Sequence, residues 1–119
     1  PEVYGDGAQA YDFIYVSDVG RANVCALKST ASDSFYNVGS GTRTSIKELC
    51  EMLLKITGSD LKMKYLPAGQ TFVTNRIGST QAAERDLNFK YTVELEDGIR
   101  RLIEWRNGHK EQVERLRRR

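Results

Sequence analysis

Residues 34–58, SFYNVGSGTRTSIKELCEMLLKITG, carry the clearest structural signal in the chain. Aromatic and branched residues in Ser34–Val38 predict a strand, and Gly39-Ser40-Gly41 closes it. Ser45-Ile46-Lys47-Glu48 is a capping box, in which the serine hydroxyl and the glutamate carboxylate each satisfy a backbone amide left free at a helix start. Behind it Ile46, Leu49, Cys50 and Leu53 recur at helical spacing, and Gly58 suits the position just past the last turn. Strand, tight turn and capped helix in succession point to an α/β chain.

Outward from this stretch, Tyr11–Val16 (YDFIYV) predicts another strand. Ser17 then stands as a helix cap, with Asp18 in the first turn and Val19, Ala22, Cys25 and Ala26 as the apolar side of a helix over 19–27. Leu61–Leu66 (LKMKYL) alternates, which predicts a half-buried strand with Leu61, Met63 and Tyr65 inward and the lysines in water. Pro67 ends it. Thr80–Leu87 reads as a short helix and Leu95–Trp105 as a longer one, with Leu95, Ile99, Leu102 and Ile103 facing inward. Gly98 inside that helix costs about 1 kcal/mol relative to alanine, which suits a close helix contact. Asn107-Gly108 breaks the helix before a charged end in which only Val113 and Leu116 are apolar. The expected architecture is α/β: one small domain of a few short strands and about four helices over 1–106, with a charged helical extension over 107–119.

A chain of 119 residues holds one modest core, and 39% hydrophobic with 29% charged residues argues against disorder. A mean hydropathy of −0.52, with no long apolar run, argues against a membrane span. Pro1–Ala10 has neither the basic start nor the apolar stretch of a signal peptide, so a cytoplasmic setting is expected. Cys25 and Cys50 then read as reduced, buried thiols. Neither has a CxxC partner and the single histidine, His109, is remote from both, so no metal site is expected. The net charge is +2, with Arg115, Arg117, Arg118 and Arg119 gathered at the end. Cations at the C-terminal pole of a helix are the simplest reading, and contact with nucleic acid is the lesser alternative.

The Gly39-Ser40-Gly41 turn has the local setting of a dinucleotide-binding loop, but the third glycine of that motif would fall at Thr44. No acid ends a following strand, so a tight turn is the better reading. The carboxylates are scattered, and nothing marks a catalytic pair.

A larger pattern emerges from segments in fixed order: Tyr4-Gly5-Asp6-Gly7, then Asp12-Phe13-Ile14-Tyr15-Val16 with Asp18-Val19, then Tyr36-Asn37-Val38-Gly39-Ser40-Gly41. Ser45 opening a helix and Leu95-Glu96-Asp97-Gly98-Ile99 leading to Trp105 complete it. Over residues 2–105 the set resembles the C-terminal, substrate-binding third of the extended short-chain dehydrogenase/reductase family, near UDP-glucose 4-epimerase and the sugar dehydratases. The resemblance implies an NAD-dependent parent whose Rossmann half, with its glycine-rich turn, lies outside these residues. The proton-transferring Tyr-x-x-x-Lys pair is missing too, since none of Tyr4, Tyr11, Tyr15, Tyr36, Tyr65 and Tyr91 has a lysine four residues on.

The family's diphosphate-gripping residues are altered as well. An arginine usual before Asp-Phe-Ile is Tyr11, and a second, from an Arg-Pro-Gly-Asp stretch, aligns with Gly69-Gln70-Thr71-Phe72. An aspartate and a lysine are replaced by Ser79 and Ala82, with Arg76 nearby as a partial substitute. The resemblance places Glu2 and Tyr4 nearest a base and ribose. Glu2, Tyr4, Tyr11 and Arg76 are therefore the expected substrate-side residues, with no catalytic, cofactor-binding or metal-binding residue in the chain. The expectation is a truncated, non-catalytic module for binding or assembly, self-associating as a homodimer. The alternatives are a fragment or subunit whose NAD-binding half is a separate Rossmann chain or further sequence, and a small nucleic-acid-binding protein acting through its arginine tail.

Overall fold

The structure is a computed structural model that describes residues 1–69 and 74–117. Its elements run β1 (Glu2–Tyr4), β2 (Ala10–Tyr11), α1 (Val16–Lys28), β3 (Thr44–Ser45), α2 (Ile46–Thr57), β4 (Lys64–Leu66), β5 (Asn75–Arg76), α3 (Gln81–Leu87), α4 (Leu95–Gly108) and α5 (Lys110–Arg117). The class is α/β, as the sequence implies. β1 lies parallel to β4, and β2 sits between antiparallel β3 and parallel β5.

α2 follows from its sequence. The Glu48 amide donates to the Ser45 hydroxyl at 3.2 Å, and the Glu48 carboxylate accepts from the Ser45 amide at 2.7 Å. The Ser45 hydroxyl, which also donates to this carboxylate at 2.6 Å, and then the Ser45 amide hold the Glu48 carboxyl below the usual range. Gly58 ends the helix with φ 59°, a left-handed conformation that glycine adopts without a Cβ penalty.

The strands are shorter than their sequences suggest. Of residues 11–16 only Tyr11 is laddered, and the Asp12 amide makes the last bond, to the Arg76 carbonyl at 3.2 Å. Ile14 leaves the sheet to pack on the core, and the Tyr15 ring lies where a Cβ on Gly98 would come within 3.0 Å. The close contact expected at Gly98 is therefore made by this ring. Tyr15, not Ser17, precedes α1, with no side-chain cap.

Residues 34–38 have no strand partner among the described residues. Tyr36 and Val38 pack on the core while Phe35 is fully exposed. The expected inward face of 61–66 is also corrected: Leu61 and Tyr65 are exposed, and Met63 and Leu66 are half-buried. Alternation produces a wet and a dry face only where a layer covers the strand, and among the described residues β4 has only β1 beside it. β1 itself, three residues long, carries no strand signal of its own.

A buried carboxylate reorients α1. Asp18 and Ala22 are its buried residues, with Cys25 half-buried, whereas Val19 and Ala26 are exposed. Asp18 accepts from the Thr92 amide at 2.9 Å, the Thr92 hydroxyl at 2.8 Å and the Val93 amide at 2.9 Å. Arg21 adds an ion pair at 2.8 Å, donates to the Lys90 carbonyl and lies 5.0 Å over the Phe89 ring. Burial pushes the Asp18 carboxyl up, but the Thr92 amide, Arg21 and the Val93 amide together bring it well below the usual carboxylate range. This clamp fixes α1 to the turn before α4.

α4 buries Gly98 and Ile99, but Leu102 is 56% exposed rather than inward. The helix runs three residues past the expected end at Trp105, through Asn107, and stops at Gly108 with His109 as its C-cap, so Asn107-Gly108 does not break it. His109 stacks on Trp105 with ring centroids 4.8 Å apart, and its Nδ1 lies 2.7 Å from the Trp105 carbonyl.

The main core cluster is Ala22, Ala83, Leu87 and Phe89, rimmed by Ile14, Cys25, Tyr36 and Val38, and Val3, Ala10, Cys50 and Ile99 are buried apart from it. It is small for the chain. The accessible surface is 9112 Å², against about 6,500 Å² for a compact protein of this mass. The radius of gyration is 17.0 Å, where about 13.5 Å is usual for this length. Part of the excess is apolar: Val16, Val24, Leu27 and Phe35 stand exposed.

Candidate functional site

Two cavities with polar side chains in their linings flank the three-stranded sheet. The larger, about 390 Å³, is lined by Tyr4, Asp6, Gln9, Arg43 and Asn75 among others. Tyr4 reaches it from the end of β1, where alternation buries Val3 and turns Glu2 and Tyr4 outward. The loop behind Tyr4 is held locally: Asp6 accepts from the Ala8 amide at 2.9 Å, and the Gln9 side chain donates to the Tyr4 carbonyl at 3.1 Å. Arg43, next to β3, donates to the Asn75 side chain at 3.0 Å and to the Ala8 carbonyl at 3.4 Å. A cation, a carboxylate and an exposed aromatic ring thus share one concavity.

The smaller cavity, about 180 Å³, is lined by Asp12, Asn37, Arg76 and Thr80 with Val38 and the turn glycines. Asp12 accepts from the Ser40 amide at 2.9 Å, the Ser40 hydroxyl at 2.6 Å and the Gly41 amide at 2.8 Å. A Cβ at Gly39 would overlap that carboxylate. The amides that a dinucleotide loop would offer to a phosphate are already engaged by an internal anion. The start of α2 is likewise closed by its own capping box. Neither turn nor helix start fits NAD.

The structure disperses the residues singled out from sequence. Tyr11 and Arg76 are partners on β2 and β5. Tyr11 is half-buried, its ring edge-on to Phe13 at 6.1 Å, so it seals the sheet end. Arg76 is exposed and faces the smaller cavity, with Asp12 in the same lining. Glu2 is exposed and pairs with Lys64 at 3.0 Å. Tyr4 alone of the four lines the larger cavity. Ser79 offers its carbonyl to the Asn37 side chain at 3.2 Å, Ala82 is half-buried, and positions 70–72 lie outside the described residues. Arg43 escaped notice because its significance depends on β3 pairing with β2, and β3 is only two residues long.

A third, apolar groove of about 270 Å³ runs between α2 and α4, with Leu49, Leu53, Leu102 and Ile103 on its walls. Among the described residues no group of three or more His, Cys, Asp or Glu side chains is placed to hold a metal. Cys50 is buried and Cys25 half-buried, both as free thiols. Arg115 and Arg117 lie on α5, which has no buried residue, and 118–119 are outside the described residues. No described helix is long and apolar enough to cross a membrane.

Comparison with known proteins is consistent. Residues 1–39 match the model of the NAD dependent epimerase/dehydratase family. The UDP-glucuronate 4-epimerase of Thermodesulfobacterium geofontis is 30% identical over 105 residues, covering 87% of this chain and 32% of that protein. The crystal structure of UDP-glucose 4-epimerase with UDP-glucose from Thermotoga maritima superposes with a TM-score of 0.79 at 32% identity, covering 83% of this chain and 32% of that one. The Bordetella bronchiseptica enzyme WbmF in complex with NADH gives a TM-score of 0.84 at 31% identity, covering 98% and 34%. The chain thus spans about a third of the length of the relatives it matches.

Proposed function

Because this chain belongs to the NAD-dependent epimerase/dehydratase family, we propose that it is a substrate-side module of that family which turns over no substrate by itself. The observation that carries this reading is the surface excess of roughly 2,600 Å² over a compact protein of the same mass. Val16, Val24, Leu27 and Phe35 supply its apolar part, and residues 34–38 supply an extended segment without a strand partner among the described residues.

Catalysis in the family requires NAD held against the sugar, and a bound nicotinamide would supply a hydride acceptor. This chain offers it neither a free glycine-turn amide, since Asp12 occupies Ser40 and Gly41, nor a Tyr-x-x-x-Lys pair. Its role is binding or assembly. The uncovered face takes a second copy of the chain, giving a symmetric dimer.

Light scattering with NAD calorimetry tests this. A dimer that binds no NAD, and that becomes monomeric in Leu27→Ser/Phe35→Ser, is the expected result. Turnover of a UDP-sugar by the purified chain with NAD alone, or a monomer at high concentration, would overturn it. The second reading, favoured by the one-third coverage of the relatives, is that further sequence or another chain supplies the NAD-binding half. Activity restored by adding a family Rossmann domain would select it.

A further inference from the structure

We propose that His109 is a proton-operated joint between α4 and α5: its imidazolium holds the helix broken at this residue, and its neutral ring lets the two helices close into one.

The joint is a single residue. α4 ends at Gly108 and α5 begins at Lys110, and His109 between them leaves the helical conformation at φ −123° and ψ 29°. In an uninterrupted helix the His109 amide would donate to the Trp105 carbonyl, four residues back. Here that amide donates to the Arg106 carbonyl at 3.3 Å instead. The Trp105 carbonyl is not left bare, because Nδ1 of the His109 ring lies 2.7 Å from it. The imidazole has taken the place of its own backbone amide, and a side chain inserted into the helical ladder is a recognised cause of a break. Past the joint the ladder resumes, with the Val113 amide donating to the His109 carbonyl at 3.0 Å.

This exchange depends on a proton. A carbonyl accepts only from a nitrogen that carries hydrogen, and the neutral ring carries one on Nδ1 in only one of its two tautomers. The imidazolium carries one on both nitrogens. Two further features favour the cation in the broken form. The carbonyl end of a helix attracts positive charge, and α4 has such an end here only while the ladder is interrupted. The ring also lies stacked on Trp105, with centroids 4.8 Å apart and planes 17° from parallel, on an aromatic face that attracts a cation. The charged residues within one turn of the ring are Arg106 on α4 and Lys110 and Glu111 on α5. The first two oppose the imidazolium and Glu111 favours it, but all three are exposed and screened by water and salt, so the carbonyl contact dominates.

When the ring loses its proton, the His109 amide can return to the Trp105 carbonyl and close the helix. Gly108 is a weak point inside that closed form, which keeps the two arrangements near in energy. No residue of α5 is buried, so the core offers no resistance. The part that moves is the charged end that carries Arg115 and Arg117. Acidification through the histidine range therefore shifts the joint to the broken form, and a rise in pH closes it.

The test is NMR and tryptophan emission of the full chain between about pH 5 and pH 8. The ratio of broken to closed joint should fall about fivefold from the acid to the alkaline end, the worth of one cation at a helix C-terminus. The coupling between the His109 amide and α protons reads this ratio, moving from an extended to a helical value. Trp105 emission should rise in step, as the stacked imidazolium that quenches it is lost. His109→Phe keeps a ring to stack but brings no proton, and should show neither change. His109→Ala should give the helical coupling of its neighbours at both ends of the range. His109 is exposed, and a far-UV melting curve shared with the wild type will show that the variants fold. A wild-type coupling that stays constant across the range, a closed joint at the acid end, or the same titration in His109→Phe, which would assign it to the carboxylates, would each overturn the proposal.

Discussion

Replacing Asp18 by alanine should be among the most destabilising single changes in this chain. The carboxylate is 1% exposed and accepts from two backbone amides, one hydroxyl and one guanidinium. Alanine leaves the Thr92 and Val93 amides without their carboxylate acceptor, at about 1–3 kcal/mol each. Arg21 adds little to the loss, because its side chain is 37% exposed and keeps the Lys90 carbonyl and the Phe89 ring. The expected cost is about 3–5 kcal/mol, a large share of a small domain's total of about 5–15 kcal/mol. Asp18→Asn keeps one acceptor and should cost less. Urea unfolding followed by far-UV circular dichroism measures both, and a loss below about 1 kcal/mol in Asp18→Ala would refute the reasoning. The same group sets an acid limit. Its folded carboxyl titrates below the unfolded one, so its contribution is complete above the ordinary aspartate range near about pH 3.9 and is lost as pH falls through the lower folded value. Midpoints in urea should therefore drop steeply on acidification in the wild type and much less in Asp18→Asn.

Two further changes probe the local turns. Gly39→Ala forces the Asp12 carboxylate off the Ser40 and Gly41 amides, and should cost about 1–3 kcal/mol in the same unfolding assay. Ser45→Ala removes the cap of α2 and should cost about 1 kcal/mol, with a parallel fall in helical signal on heating. A cost near zero in either case would mean that the turn relaxes without the bond.

What could be read from the sequence was local. The α2 capping box and Gly58 are encoded within a few residues and appear where the pattern places them, whereas the close neighbour of Gly98 is the Tyr15 ring and not the helix expected there. Strand extents were misjudged because a ladder depends on a partner: YDFIYV has strand composition throughout, yet pairing stops at Tyr11. The inner face of α1 was misassigned because Asp18, polar by type, is buried by donors 74 and 75 residues away. Of the residues lining the larger cavity, Tyr4 was singled out through the family resemblance. Arg43 was not, since only folding brings it beside Asn75, 32 residues on.

The stacked Trp105 and His109 rings at the joint of α4 and α5 bear on how the molecule is followed in solution. This tryptophan is the only one in the chain, it is 49% exposed, and it stacks on His109, the residue just before a helix that has no buried residue. Its emission therefore reports the fraying of one outlying hinge, while the Ala22–Phe89 centre melts out of its sight. Fluorescence and circular dichroism should give different midpoints for the same sample, so that a mismatch between them marks a local event and not an extra folding stage.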